Sequence, residues 1–242
     1  MNIEFASILY FTKKLMDLLK NFFSINSRQL SFLSINMVMF LIVILFNYPY
    51  PIAQKEDGNV PRPNVIIFLT DDLGYGDLAS YGNPIIKTPN LDQFALEGVR
   101  MTGMHSDGTV CSLSRASIHT GRNAYGNGFY SIAGIFGTTL HKDEITLPQL
   151  LKEVGYETVF FGKWHLSRLE SPAEVSVNEM GFDYSLATSV NAFNTGPKNP
   201  DKFIRNGQPV GTLEGWYVDI VSNEAAYWIA TKRDDEKPFF YS

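Results

Sequence analysis

From Asn64 to Thr70 the chain reads NVIIFLT, apolar or β-branched at nearly every position. A strand with one wet face alternates in polarity, so an unbroken run predicts a strand covered on both faces. Thr88-Pro89 opens a stretch that ends at Glu97 before Gly98, the start and stop signals of a helix. Val99 to Gly103 is expected to form a short strand. Thr146 precedes Leu147, Leu150, Leu151 and Val154, spaced along one helical face, and Gly155 ends that helix. Glu157 to Phe161 predicts the next strand. Val218 to Lys232 predicts a helix that packs Ile220, Ala225, Trp228 and Ile229, and Pro238 to Tyr241 predicts another strand. This alternation belongs to the α/β class, with a largely parallel central sheet and helices on both faces. The chain stops inside the last of these strands, so residues 63–242 are expected to form a domain incomplete at its C-terminus.

The N-terminal quarter follows another pattern. Met37 to Phe46, MVMFLIVILF, is continuously apolar, and Lys13, Lys14, Lys20 and Arg28 precede it. Basic residues followed by an apolar run are the layout of an export signal. The run is short of the roughly 20 residues that cross a bilayer, and Phe32, Leu33, Ile35 and Tyr48 extend it to marginal length. The expected organisation is a leader over 1–36, a signal-peptide core or membrane anchor over 37–50, a Pro-rich linker over 51–62, and an exported domain beyond. Only the N-terminal segment is expected to touch the membrane.

Composition narrows the function. The formal net charge is −5 and no basic stripe occurs, which argues against a nucleic-acid partner. The chain has a single cysteine, Cys111, so an intramolecular disulfide is excluded. A lone cysteine is ordinarily a small buried residue. Its neighbours in TVCSLSRASIHTGR, including Arg115 and the closing Thr-Gly-Arg, suggest more.

In a parallel sheet, chemistry gathers at the carboxyl ends of the strands. Three polar sets fall there: Asp71-Asp72 in TDDLGYGD, the Cys111 to Arg122 segment in a loop that opens a helix, and Lys163-Trp164-His165 in FGKWHLS. Adjacent aspartates often cap a turn, yet a hard divalent cation would also relieve their mutual repulsion. Arg115, Lys163 and His165 taken singly are ordinary surface residues. Taken together the three sets describe an anion site of two cationic side chains, helix-terminal N–H groups and a metal.

The order of these motifs resembles the sulfatase family, which has the alkaline-phosphatase-like fold. The resemblance rests on TDDLGYGD, TPNLDQFALEGV, the cysteine segment ending in TGR, and GKWHL, and it runs from about Pro63 to the end of the chain. The stretch NPDKFIRNGQPVGTLEG further resembles arylsulfatases of the N-acetylgalactosamine-6-sulfatase type. The resemblance implies a sulfuric ester hydrolase whose cysteine is oxidised after synthesis to formylglycine by a formylglycine-generating enzyme. The hydrated aldehyde would then attack sulfur. It implies Asp71, Asp72 and modified Cys111 as ligands of Ca²⁺, with Mg²⁺ the alternative. Arg115 would stabilise the hydrate, Lys163 would bridge nucleophile and sulfate, and His165 would take a proton from the second hydroxyl. The substrate would be an aryl or carbohydrate sulfate, including sulfated glycans. Asn191 and Asn194 would lie near it.

Two departures stand out. The family motif is Cys-x-Pro-x-Arg, and here Leu113 replaces the proline. Proline fixes an extended geometry that leucine leaves free. His119 stands where the family has an apolar residue and is expected to loosen the helix packing. The remaining metal ligands of the family would lie beyond Ser242. Two alternatives follow: a phosphodiesterase or phosphonate hydrolase of the same superfamily, and a non-catalytic sulfoglycan-binding relic.

Overall fold

The structure is a computed structural model and describes residues 62–242. The leader, the apolar segment 37–50 and the linker up to residue 61 lie outside the described residues. Among the described residues six strands form one sheet: β1 (Val65–Ile66), β2 (Glu157–Lys163), β3 (Tyr184–Thr188), β4 (Ile204–Arg205), β5 (Gln208–Pro209) and β6 (Phe239–Tyr241). Their order across the sheet is β1-β6-β2-β3-β4-β5. The first four in that order run parallel, and β4 and β5 close the far side as an antiparallel hairpin. The helices are α1 (Pro89–Glu97), α2 (Cys111–Thr120), α3 (Leu147–Glu153), α4 (Ala192–Thr195) and α5 (Tyr217–Thr231).

β2 organises the core. Its neighbours are β6 on one side, with Glu157 opposite Phe239, and β3 on the other, with Val159 opposite Tyr184 and Lys163 opposite Thr188. Successive side chains of a strand point to opposite faces. Phe160 accordingly joins Phe240, Ala187, Leu113 and Ala116 against α2 and α3, whereas Val159 and Phe161 join Phe239, Leu186, Ala225 and Trp228 against α5. The expected helices on both faces are therefore present. The buried Trp164 indole N–H donates to Ser167 Oγ at 2.8 Å, which donates onward to the Val175 carbonyl at 2.6 Å, so this aromatic core leaves no unpaired indole.

Several local expectations hold closely. α1 begins at Pro89 and ends before Gly98. Thr146 precedes α3, its N–H bonding back to Gln149 Oε1 at 2.9 Å. α5 and β6 lie within one residue of their predicted bounds.

Four expectations are corrected. The predicted strand over Asn64–Thr70 is paired only at Val65–Ile66, and Ile66 and Phe68 are 52% and 73% exposed. Among the described residues β1 is an edge strand whose single partner is β6, and the ladder ends where Ile67 N–H reaches the Tyr241 carbonyl. Val99 to Gly103 forms no strand, because it meets no ladder partner among the described residues. β2 runs two residues past Phe161, so Lys163 is its last residue rather than the start of a loop. The cysteine segment is not a loop, since Cys111 is itself the first residue of α2.

Three features were not anticipated: β3, the one-turn helix α4, and the β4–β5 hairpin, turned at Asn206-Gly207, where φ is 49° and 79°. Two left-handed residues in succession are what a two-residue hairpin turn of type I′ demands, and Asn-Gly is its commonest sequence.

Candidate active site

The carboxyl ends of the strands collect the predicted residues from three separate segments. Asp71 and Asp72 follow β1, and Asp72 takes a left-handed φ of 58°, which turns the chain sharply there. Lys163 closes β2. Cys111 opens α2 after the extended Val110, and no side chain caps its first amides. The first amides of a helix have no acceptor within it and stand at the positive end of its dipole.

The contacts are specific. Lys163 Nζ donates to Asp71 Oδ1 at 2.7 Å, and Arg115 Nη2 stands 3.7 Å from the same oxygen. Arg115 Nη1 also donates to the Lys163 carbonyl at 2.7 Å. Both cationic side chains are buried, while Asp71 is about one-third exposed. Arg115 sits below its ordinary pKa because burial opposes its charge, an effect that Asp71 counters. At the site, two buried side-chain atoms have no hydrogen-bond partner among the described residues, Arg115 Nε and His165 Nδ1. Buried donors rarely stay unpaired, so Arg115 Nε marks a place where an anionic oxygen would be welcome.

His165 also has a left-handed backbone, with φ 56°. Burial, then the nearby Lys163 and Arg115 charges, push its imidazole down to about 4, with Asp71 opposing. The ring is therefore neutral at pH 7 and able to accept a proton. The structure brings Asp71, Arg115 and Lys163 into contact, and His165 and Cys111 lie within their electrostatic reach. Asp72 is exposed and bonds to none of them.

A cleft of about 390 Å³ opens beside this cluster, lined by Thr70, Asp71, Arg115, Lys163, Asn191 and Tyr217 among others. Asn191 was anticipated, and Asn194 is exposed one turn further along. Tyr217 was missed. Its hydroxyl lies 2.8 Å from Thr188 Oγ1, and burial pushes it up to about 12, so it remains a neutral phenol. No sequence motif marks it, since it belongs to an ordinary amphipathic helix 54 positions beyond Lys163. Ser112 was also missed, although it adjoins Cys111.

The two departures have structural consequences. Leu113 is buried in the core against α3 and β2. A Cβ on Gly108 would lie 2.3 Å from the Leu113 Cβ, so glycine permits the approach of the preceding loop. His119 does not loosen the helix packing. It is fully buried among Phe160, Trp164 and Phe182, with ring centroids 6.1, 5.4 and 5.8 Å away. Burial, helped by Arg115, pushes it down to about 3, and a neutral imidazole packs as an aromatic there.

Asp71 and Asp72 are hard oxygen donors of the kind Ca²⁺ and Mg²⁺ take, and a modified residue 111 would add another. These residues fit such an ion in kind. In number they fall short of its usual six to eight ligands, and among the described residues no three acidic, histidine or cysteine side chains converge on one point. Asp71 Oδ1 instead accepts from Lys163.

Residues 63–242 match the sulfatase family model. The chain belongs to the sulfatase family. It is similar to N-acetylglucosamine-6-O-sulfatase of Bacteroides thetaiotaomicron, 34% identical over 186 residues, covering 77% of this chain and 30% of that protein. It is similar to human N-acetylgalactosamine-6-sulfatase, 42% identical over 123 residues, covering 47% of this chain and 24% of that protein. A solved structure in complex with its substrate D-glucosamine-2-N,6-O-disulfate superposes with a TM-score of 0.64 at 33% identity, over 74% of this chain and 33% of that one. The sheet and its helices are those of the alkaline-phosphatase-like fold. This sulfatase chain thus spans about a third or less of the length of these relatives.

Proposed function

We propose that this chain carries one part of the active centre of an exported sulfatase that hydrolyses a sulfate ester on a glycan. The observation that carries this reading is the convergence of buried Arg115 and Lys163 on Asp71, beside the helix start that bears Cys111. Sulfate ester hydrolysis asks for concentrated positive charge and firm positioning rather than elaborate covalent chemistry.

Residue by residue, Lys163 and Arg115 would hold sulfate oxygens, the first by its ammonium and the second by its unpaired Nε. Oxidised to formylglycine by its maturing enzyme and hydrated, residue 111 would supply the attacking hydroxyl. Asp71 and Asp72 would hold part of a divalent cation, Ca²⁺ or Mg²⁺, which contributes charge stabilisation when bound. His165, neutral at pH 7, would take the proton of the second hydroxyl at its ring. Asn191 and Tyr217 would line the sugar side of the cleft. The glycan preference draws on relatives that act on glucosamine and galactosamine sulfates. Export draws on the basic and apolar pattern before residue 50. Leu113 favours a second reading, a binding relic in which Cys111 stays a thiol.

The test is turnover of N-acetylglucosamine 6-sulfate and its 6-phosphate counterpart by the full-length protein, matured with a formylglycine-generating enzyme. Sulfate should be released and phosphate spared. Cys111→Ala should lower kcat by roughly 10³ or more, and Lys163→Ala by about 10² to 10³. Preferred cleavage of the phosphate would establish the phosphohydrolase alternative, and full activity in Cys111→Ala would overturn the reading. Sugar binding without turnover, unchanged by Cys111→Ala, would establish the relic.

A further inference from the structure

We propose that Ser112 is a positioning residue for His165, tying the helix that bears Cys111 to the segment that bears the proton acceptor. Ser112 is 0% exposed. Its hydroxyl donates to the His165 carbonyl at 2.7 Å and accepts from the Ala133 N–H at 2.9 Å. A hydroxyl has one proton to give, and this one gives it to His165.

The bond falls where the backbone needs it. His165 holds a left-handed φ of 56°, a conformation that side chains other than glycine adopt rarely and keep only where their surroundings impose it. Every other hold on this segment lies on a different residue. Arg115 takes the Lys163 carbonyl, Trp164 N–H reaches the Thr188 carbonyl at 2.9 Å, and Leu140 N–H reaches the Leu166 carbonyl at 2.7 Å. The imidazole Nδ1 has no partner among the described residues, so no bond from that atom to them fixes the ring. Ring direction then follows from backbone direction, and Ser112 sets the backbone. Ser112 and Arg115 stand three residues apart on one face of α2 and grip the carbonyls of His165 and Lys163 respectively. The nucleophile position and its two partners are thereby held from a single helical turn.

The catalytic meaning of this tie rests on the sulfatase reading, whereas the tie itself does not. The test therefore uses no turnover. Histidines of the intact chain are modified with diethyl pyrocarbonate and followed by peptide mass spectrometry. His141, whose side chain is 68% exposed, serves as the internal reference. Ser112→Ala should raise the His165 rate relative to His141 by about tenfold while His119 stays unchanged. Ser112→Thr, which keeps the hydroxyl, should stay within about twofold of the parent. An unchanged His165 rate in a folded Ser112→Ala protein overturns the proposal. So does an equal rise at His119, which would mean general loosening of the core. If Ser112→Ala does not fold, Ser112→Thr decides alone, and a rise above about threefold there overturns the proposal. In the full-length enzyme Ser112→Ala should lower kcat and leave KM in place. Loss of sulfatase activity altogether would leave the modification result standing.

Discussion

β1 and β2 lie two places apart in one sheet, and both come from runs of apolar, β-branched sequence. β2 has a strand on each side and helices over both faces, and Val159 and Phe160 are all but inaccessible. Among the described residues β1 has one partner, pairs over two residues, and leaves Ile66 and Phe68 largely in water. Intrinsic strand character is therefore alike in the two, and burial differs. The lesson is that a hydrophobic run states what a segment would gain from cover, while neighbours decide whether it is covered.

The contrast can be sharpened by mutation. Phe160→Ala should have the largest effect, about 3 to 5 kcal/mol of lost stability in urea unfolding, because it leaves a cavity between β2 and α2. A loss below about 1 kcal/mol would mean that the two strands are equally dispensable.

Acid should act next, and on the same half of the molecule. His119 and His165 are both depressed, to about 3 and about 4, so the unfolded chain binds more protons than the folded one below about 6.5. Stability is therefore fully present above that pH, falls as pH drops from there towards the folded values, and levels off below them. The slope is at most about 1.4 kcal/mol per pH unit for each group. Thermal melts at pH 7 and pH 5 should show the loss, and His119→Phe should reduce it. A flat profile in the parent would show that neither imidazole is buried neutral.

Leu113→Pro should cost less, about 1 to 2 kcal/mol from lost core contact. Leu113 is the third residue of α2, and the first bond along the helix is made by Ser114 N–H to the Val110 carbonyl at 3.2 Å. Proline there removes no helical hydrogen bond. Circular dichroism with unfolding would check it, and collapse of α2 would contradict it. Phe68→Ala, at the exposed end of the first apolar run, should change stability by less than about 0.5 kcal/mol in the same urea assay. A loss like that of Phe160→Ala would erase the contrast between the strands.

Much of this was legible in the chain, for identifiable reasons. α1 carries its own start and stop in Thr88-Pro89 and Gly98, and α3 in Thr146 and Gly155, so their bounds needed no partner. That Asp71, Arg115 and Lys163 would meet was legible because each lies in a short charged motif, and those of Asp71 and Lys163 sit at the ends of β1 and β2. The Arg205-Asn206-Gly207-Gln208 hairpin had its turn signal in plain view, but two-residue strands carry almost no periodicity. β3 was missed because Tyr184 to Thr188 mixes polar and apolar residues, and its Ser185 and Thr188 are buried with hydrogen-bond partners. Ser112 and Tyr217 were missed because neither belongs to a recognisable chemical pair.

By itself the sequence determined the class of fold, the ends of its clearest helices and the identity of the charged groups that meet. Those are properties of local backbone preference and of short motifs, which act over a few residues. Only the tertiary structure decided which apolar run is covered, that Lys163 and Arg115 share Asp71, that His119 is an aromatic filler, and that Ser112 reaches across 53 positions to His165. Each depends on distance and exclusion of water between segments far apart in the chain, and no local pattern encodes that.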